Sequence, residues 1–205
     1  MSIVKLSNNG VKNATAFGSI TGLGSMIFIK KLTASSSATL SFVDGASDVV
    51  LDDTYKEYVF TFNNIHPETD NVEFQFNLSI DAGSNYNVTK TTTMFFARHS
   101  EDDGTELYYE SSLDLAQSTA FQPFMGNLGG GNDECCSGYL RLFNPSSTTF
   151  VKHFISQFNY YHKLDRSQNS FVSGYGNTTS AVDAIQFKMS ADAIDAGDIC
   201  LYGIK

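Results

Sequence analysis

The residues able to do chemistry are few, and most of them fall in turns. The clearest group is His66-Pro67-Glu68-Thr69-Asp70, a joint with one histidine and two acids between two aromatic runs. Acting together, His66 would be a general base and Glu68 or Asp70 would orient it. No nucleophile or second constellation accompanies them. Turn formers (Asn63, Asn64, Asn71) flank the joint, and its proline cannot donate to a ladder. It therefore reads as the corner between two strands.

The other candidates are weaker. His153 and His162 stand nine residues apart on an extended segment, on opposite faces and ~30 Å from each other, which is no metal pair. No H-x-H, H-E-x-x-H or C-x-x-C occurs, and the neighbours Cys135 and Cys136 chelate poorly despite Asp133 and Glu134 before them. The acidic turns at 81–85 and 101–106 lack the EF-hand register, so Asp102 and Asp103 read as a solvated hairpin tip. The glycines at 22–25 and 128–133 miss the phosphate-loop spacing, no G-x-S-x-G elbow is present, and no carboxylate pair stands out for glycoside cleavage. No catalytic, cofactor-binding or metal-ligating set is expected, and no enzyme. What remains is Tyr108, Tyr109, Tyr160 and Tyr161, two adjacent pairs near strand ends. Exposed tyrosines stack on sugar rings or anchor interfaces. The plainer arrangement puts one of each pair in the core and the other over a sheet edge.

The elements that must position these residues are strands. Apolar residues recur with period two almost throughout, whereas helical periodicity is nearly absent. Strands are expected near 14–20, 26–32, 38–43, 55–63, 72–80, 89–98, 105–110, 138–143, 149–160, 183–189 and 198–204. Gly, Asn, Asp and Pro turns separate them. Along 72–80, Val72, Phe74, Phe76, Leu78 and Ile80 alternate with Glu73, Gln75, Asn77 and Ser79. One short helix is expected at 113–121. The spacing implies a single all-β domain over 1–205, an antiparallel β-sandwich of jelly-roll type with about ten short strands. The glycine-rich stretch 126–133 is its internal joint. The strand at 150–161 is aromatic on both faces, so it is either central or covered by a neighbouring subunit.

Composition narrows the function. The chain has 205 residues with 17 Phe, 10 Tyr and no Trp, and a formal charge of −9. An acidic chain without clustered Lys and Arg is a poor nucleic-acid binder. The opening MSIVKLSNNG lacks a leader pattern, and no run approaches the ~20 apolar residues that span a bilayer, so no membrane insertion is expected. Three cysteines without framework spacing read as free thiols of a protein made in reducing cytoplasm. The Asn-x-Ser/Thr sequons at Asn13, Asn77, Asn87 and Asn177 then carry no glycan meaning.

Two stretches together resemble the structural proteins of tailed-bacteriophage virions, particularly phages of marine bacteria such as cyanobacteria. The first is TYKEYVFTFNNIHPETDNVEFQFNLSIDAGSNY at 54–86, carried by Tyr55, Tyr58, Phe60, Asn64, Ile65, Pro67, Thr69, Asp70, Ser79, Asp81, Gly83 and Tyr86. It departs at Ala82, where such proteins often have Gly. The second joins SGYLRLFNP at 137–145 to AIQFKMSADAIDAGDICLYGI at 184–204. Its matching positions include Ser137, Gly138, Leu140, Leu142, Asn144, Pro145, Phe187, Gly197, Tyr202 and Gly203. The resemblance covers about two thirds of the chain and transfers no catalytic residue. It implies a non-enzymatic particle component located in the virion, either a capsid decoration (cement) protein or a tail-associated one. Its partners would be other virion proteins and further copies of itself, and it would use no cofactor. The alternative is a carbohydrate-binding, receptor-recognising module of a tail fibre.

Overall fold

Aromatic and β-branched residues at alternate positions favour extended backbone with one face buried. A computed structural model describes residues 25–205. The strand expected at 14–20, the turn at 22–24 and Asn13 lie outside them. Twelve strands follow: β1 (Met26–Ser37), β2 (Leu40–Val43), β3 (Glu57–Pro67), β4 (Phe74–Ser79), β5 (Lys90–Ser100), β6 (Thr105–Tyr109), β7 (Gln122–Pro123), β8 (Cys136–Phe143), β9 (Lys152–His162), β10 (Arg166–Gly176), β11 (Ala184–Met189) and β12 (Ile194–Ile204). They form two antiparallel sheets, ordered β1-β12-β3-β8-β9-β10-β5-β6 and β2-β11-β4-β7. The fold is an all-β antiparallel sandwich, and the chain crosses repeatedly between its layers.

The layers meet through phenylalanine. Nine of them (Phe42, Phe60, Phe62, Phe74, Phe76, Phe124, Phe154, Phe158 and Phe187) are at most 1% exposed. Phe62 is the hub, with ring centroids of Phe158, Phe187, Phe74 and Phe124 at 5.0, 5.1, 5.5 and 5.7 Å. Edge and tilted contacts of this kind add to the burial of the rings themselves. Room for such rings is made by small residues on the neighbouring strands. Phe158 stands opposite Gly138 on β8 and Ser170 on β10, and Phe154 opposite Gly174. A Cβ on Gly138 would lie 2.3 Å from the Gln157 carbonyl oxygen and 2.7 Å from the Phe158 ring.

Several expectations change. No helix forms at 113–121. Leu115 instead bonds Thr92 on β5, its N–H donating to Thr92 Oγ1 (2.8 Å) and its carbonyl accepting from the Thr92 N–H (2.9 Å), while the Ser118 and Lys90 backbones pair. Those bonds use the groups a helix would need, and Gln117 is left-handed at φ 48°. The polar face of β4 is not solvated. Gln75, Asn77 and Ser79 are buried, because the 110–122 segment crosses over that sheet, whereas Ile80 beyond the strand end is exposed. β10 has no counterpart in the sequence pattern, since its inward positions are Gln168, Ser170, Val172, Gly174 and Gly176. Residues 126–133 run between the layers, with fully buried Leu128 donating to the Val72 carbonyl (2.9 Å) and accepting from the Asn71 N–H (3.0 Å). Ala82 takes φ 55°, a left-handed conformation that glycine adopts at less cost.

The Phe158–Gly138 contact makes a direct prediction. Gly138→Ala forces the ring or the β9 backbone aside and should cost about 1–3 kcal/mol, as overpacking does. Adding Phe158→Leu should recover part of the loss, read as a double-mutant cycle by chemical denaturation. An unchanged denaturation midpoint for Gly138→Ala alone would contradict the packing described.

Candidate functional site

The corner at 66–70 holds backbone rather than substrate. The His66 Nδ1–H donates to the Glu134 carbonyl at 2.6 Å. The Glu68 carboxylate accepts the Ala193 N–H at 3.3 Å, and the Asp70 carboxylate accepts the Gly130 N–H at 3.2 Å. The three side chains tie down two other segments, the 130–134 loop and Ala193 just before β12, and none bonds to another. The corner also carries the chain from β3 in the large sheet to β4 in the small one.

Strand alternation divides each tyrosine pair across the large sheet. Tyr109 stands opposite Phe95, and Tyr161 opposite Ser167, on the outer face. Tyr108 stands opposite Phe96, and Tyr160 opposite Gln168 and Cys136, on the inner face. Tyr160 is therefore not a surface contact. Its ring is 2% exposed, since β9 is central and that face of it is covered. Tyr108 faces inward too, but it lies beyond the reach of the small sheet and stays exposed.

Three features follow from this division. The first is an uncovered apolar patch on the outer face. Phe95 stacks on Phe171 with centroids 4.8 Å apart, and Leu107, Tyr109 and Ile155 are exposed nearby on the same face, Leu107 at 75%. The Tyr109 hydroxyl donates to Asp114 at 2.6 Å, which fixes its ring.

The second feature is an open cleft of about 550 Å³ where the 101–104 and 163–165 turns approach residues 133–135. His99, Glu101, Asp133, Tyr161 and Arg166 line it. The Tyr161 hydroxyl is shared between Asp165 (3.2 Å) and Glu101 (3.3 Å), and His99 Nε2 faces the exposed Asp103 at 3.1 Å. Cys135 also borders the cleft, where burial pushes its thiol up and keeps it protonated, a poor nucleophile. Cys136 is buried and its thiol is raised further, and neither cysteine nor Cys200 is in a disulfide.

The third feature is smaller and more enclosed, a cavity of about 80 Å³ under β5 and beside β9 and β10. Tyr160, His162, Gln168, Arg98 and Glu110 border it, on a floor of Met94, Phe96 and Leu113. The sequence singled out Tyr160, which borders this cavity, and Tyr108, which packs on its Phe96 wall; Arg98, His162 and Gln168 it did not. Gln168 lies on the strand without visible periodicity, and nothing in the pattern marks it.

No protein-family model, no curated protein and no solved structure matches this chain. Among the described residues, no group of three or more His, Cys, Asp or Glu side chains is placed to hold a metal ion. No helix among them is long and apolar enough to cross a membrane.

Two lysines sit away from these features, both fully buried on the inner face in register with Gly176 between them. Lys90 Nζ donates to the Val88 carbonyl at 2.8 Å and to Asn77 Oδ1 at 2.5 Å, and Lys152 Nζ donates to the Phe150 and Thr178 carbonyls at 2.7 and 3.2 Å. Among the described residues, no carboxylate pairs with either one. Burial lowers Lys90 to about 7. The unfolded chain, with an ordinary lysine near 10.5, then holds more protons than the folded one above about pH 7. Stability should rise with pH between about 7 and 9, by at most ~1.4 kcal/mol per unit for this group. Lys90→Met should flatten that rise in urea denaturation series. The same slope in wild type and variant would show that Lys90 is not its source.

Proposed function

We propose that the chain is a non-enzymatic structural protein of a tailed-phage virion, working as a homo-oligomer in capsid decoration or in a tail-associated position. The observation that carries this is the outer face of the eight-stranded sheet. A sandwich packed on nine phenylalanines of at most 1% exposure presents Phe95, Leu107, Tyr109 and Ile155 to solvent with none of the described residues over them. Exposed apolar surface on a rigid sheet is what an assembling subunit needs, and aromatics are enriched at such contacts. The resemblance supports the same reading. Its strings fall on β3–β4, β8 and β11–β12, and they supply core residues and turns, as fold signatures do. The jelly-roll-like winding and the virion location belong to this proposal, as do the partner proteins of the particle. The −9 charge weighs against a nucleic-acid partner.

Two measurements test it. Light scattering at micromolar concentration should give a multiple of 22.5 kDa, and Leu107→Lys should shift the protein toward monomer without lowering Tm. A stable wild-type monomer would remove the homo-oligomer. Quantitative proteomics of purified virions should find the chain, at high copy for a capsid decoration and at low copy for a tail component; its absence from particles would sink the virion assignment.

A further inference from the structure

Buried polar groups almost always have a hydrogen-bond partner. Among the described residues, Tyr160 Oη and Gln168 Oε1 lack one, although the residues are only 2% and 5% exposed. The Gly126 amide faces the Tyr160 hydroxyl without closing a hydrogen bond. The two residues stand opposite each other in the β9–β10 register and border the same 80 Å³ cavity. Leaving a buried polar group unpartnered costs about 1–3 kcal/mol. Two residues that carry such groups and border one space mark a site that something fills.

The chemistry of the wall says what kind of ligand fits. Its charged groups are already engaged: Arg98 pairs with Glu106, and Glu110 accepts from the Ser112 N–H (3.2 Å) and the Ser112 hydroxyl (2.6 Å). His162 accepts the Leu164 N–H on Nδ1 at 3.1 Å, so its own proton sits on Nε2. Burial first, then Arg166 and Arg98, lowers its pKa to about 4 and leaves the ring neutral at neutral pH. The unmet groups are thus a phenolic hydroxyl and an amide oxygen, both uncharged. An ion gains little here, whereas a hydroxyl group can donate to Gln168 and accept from Tyr160. The space holds a few waters' worth of volume, enough for the edge of a ring and not for a whole one. Beside it the exposed Tyr108 ring lies 5.6 Å from Phe96, a cavity wall, and offers a flat apolar face.

We propose that this cavity takes the diol edge of a neutral hexopyranose, with Gln168 and Tyr160 bonding its hydroxyls and Tyr108 stacking on the ring. The carbohydrate alternative raised by the sequence thereby acquires a location and named contacts. It does not rest on the virion reading, because a particle component need bind no sugar and a sugar-binding protein need not be in a particle.

The test uses the full chain with the methyl glycosides of glucose, galactose, mannose and N-acetylglucosamine, followed by saturation-transfer NMR and titration at millimolar sugar. At least one should bind. Gln168→Leu and Tyr160→Phe should each weaken it by about tenfold, a usual loss for one buried hydrogen bond. Tyr108→Ala should weaken binding as well, while Phe28→Ala, at the exposed far edge of the large sheet on β1, should not. Without sugar, Gln168→Leu and Tyr160→Phe should keep or raise Tm, since each removes an unpartnered group. Failure of all four sugars to bind, or binding that these variants leave intact, would overturn the proposal. So would a lowered Tm in both variants together with a crystal structure holding ordered water only. Virion proteomics is indifferent to each of these results, so the two readings fail separately.

Discussion

The bare backbone of Gly138 lets the Phe158 ring lie across β8, and the rest of the aromatic core is built outward from that contact. Phe158 reaches Phe62 only because no side chain stands between them on β8. Phe62 in turn gathers Phe74, Phe124 and Phe187 from the small sheet and its approaches. Large rings from one strand fall against Gly or Ser on its neighbours, so the rings lie over bare backbone while ladder hydrogen bonds hold the strands at their usual ~4.8 Å spacing. The segment after β6 pairs with β5 and then passes Asn77 on the outer side of the small sheet, while Gln122 turns inward beside Phe76; both side chains are buried and need partners. Asn77 donates to the Tyr86 and Thr119 carbonyls, and Gln122 bonds Thr92 and the Leu113 carbonyl. The polar layer is thus a consequence of the aromatic one.

This division explains what the sequence made legible. Strands whose inward residues are large and apolar, such as β3, β9 and β11, stand out by period two. β10 does not, because its role is to make room, and a strand of Ser, Gly and Gln carries no hydrophobic rhythm. The alternation along 72–80 located β4 but did not show that its polar face is buried, since nothing local to that stretch announces the chain that passes beside Asn77. The same segment looked helical because Leu113, Ala116 and Ala120 suit a helix, while its actual partners on β5 lie more than twenty residues earlier. Tertiary hydrogen bonds outweighed a weak local preference.

The candidate site was half visible for a related reason. Tyrosines at 108–109 and 160–161 were conspicuous as pairs, yet a strand treats neighbours as opposites. Tyr108 and Tyr160 share the inner side, and Tyr109 and Tyr161 the outer. The protein therefore has two chemically distinct aromatic surfaces separated by one layer of backbone: an apolar outer patch, and an inner side where Tyr160 borders a polar cavity. Substitutions on one need not disturb the other.

Lys90 carries a consequence beyond acid–base balance. Its amine is sealed at 0% exposure and, with a pKa near 7, a large share of it is the uncharged, nucleophilic form at neutral pH. An acylating reagent in solution cannot reach it while β5 and the 110–122 segment stay paired through Lys90 and Ser118. Once that pairing opens, the exposed amine relaxes toward an ordinary lysine, and its capture would be a permanent record of the event. The rate at which Lys90 is acylated would then count openings of the sandwich's side wall, making one internal residue a clock for the breathing of the whole layer.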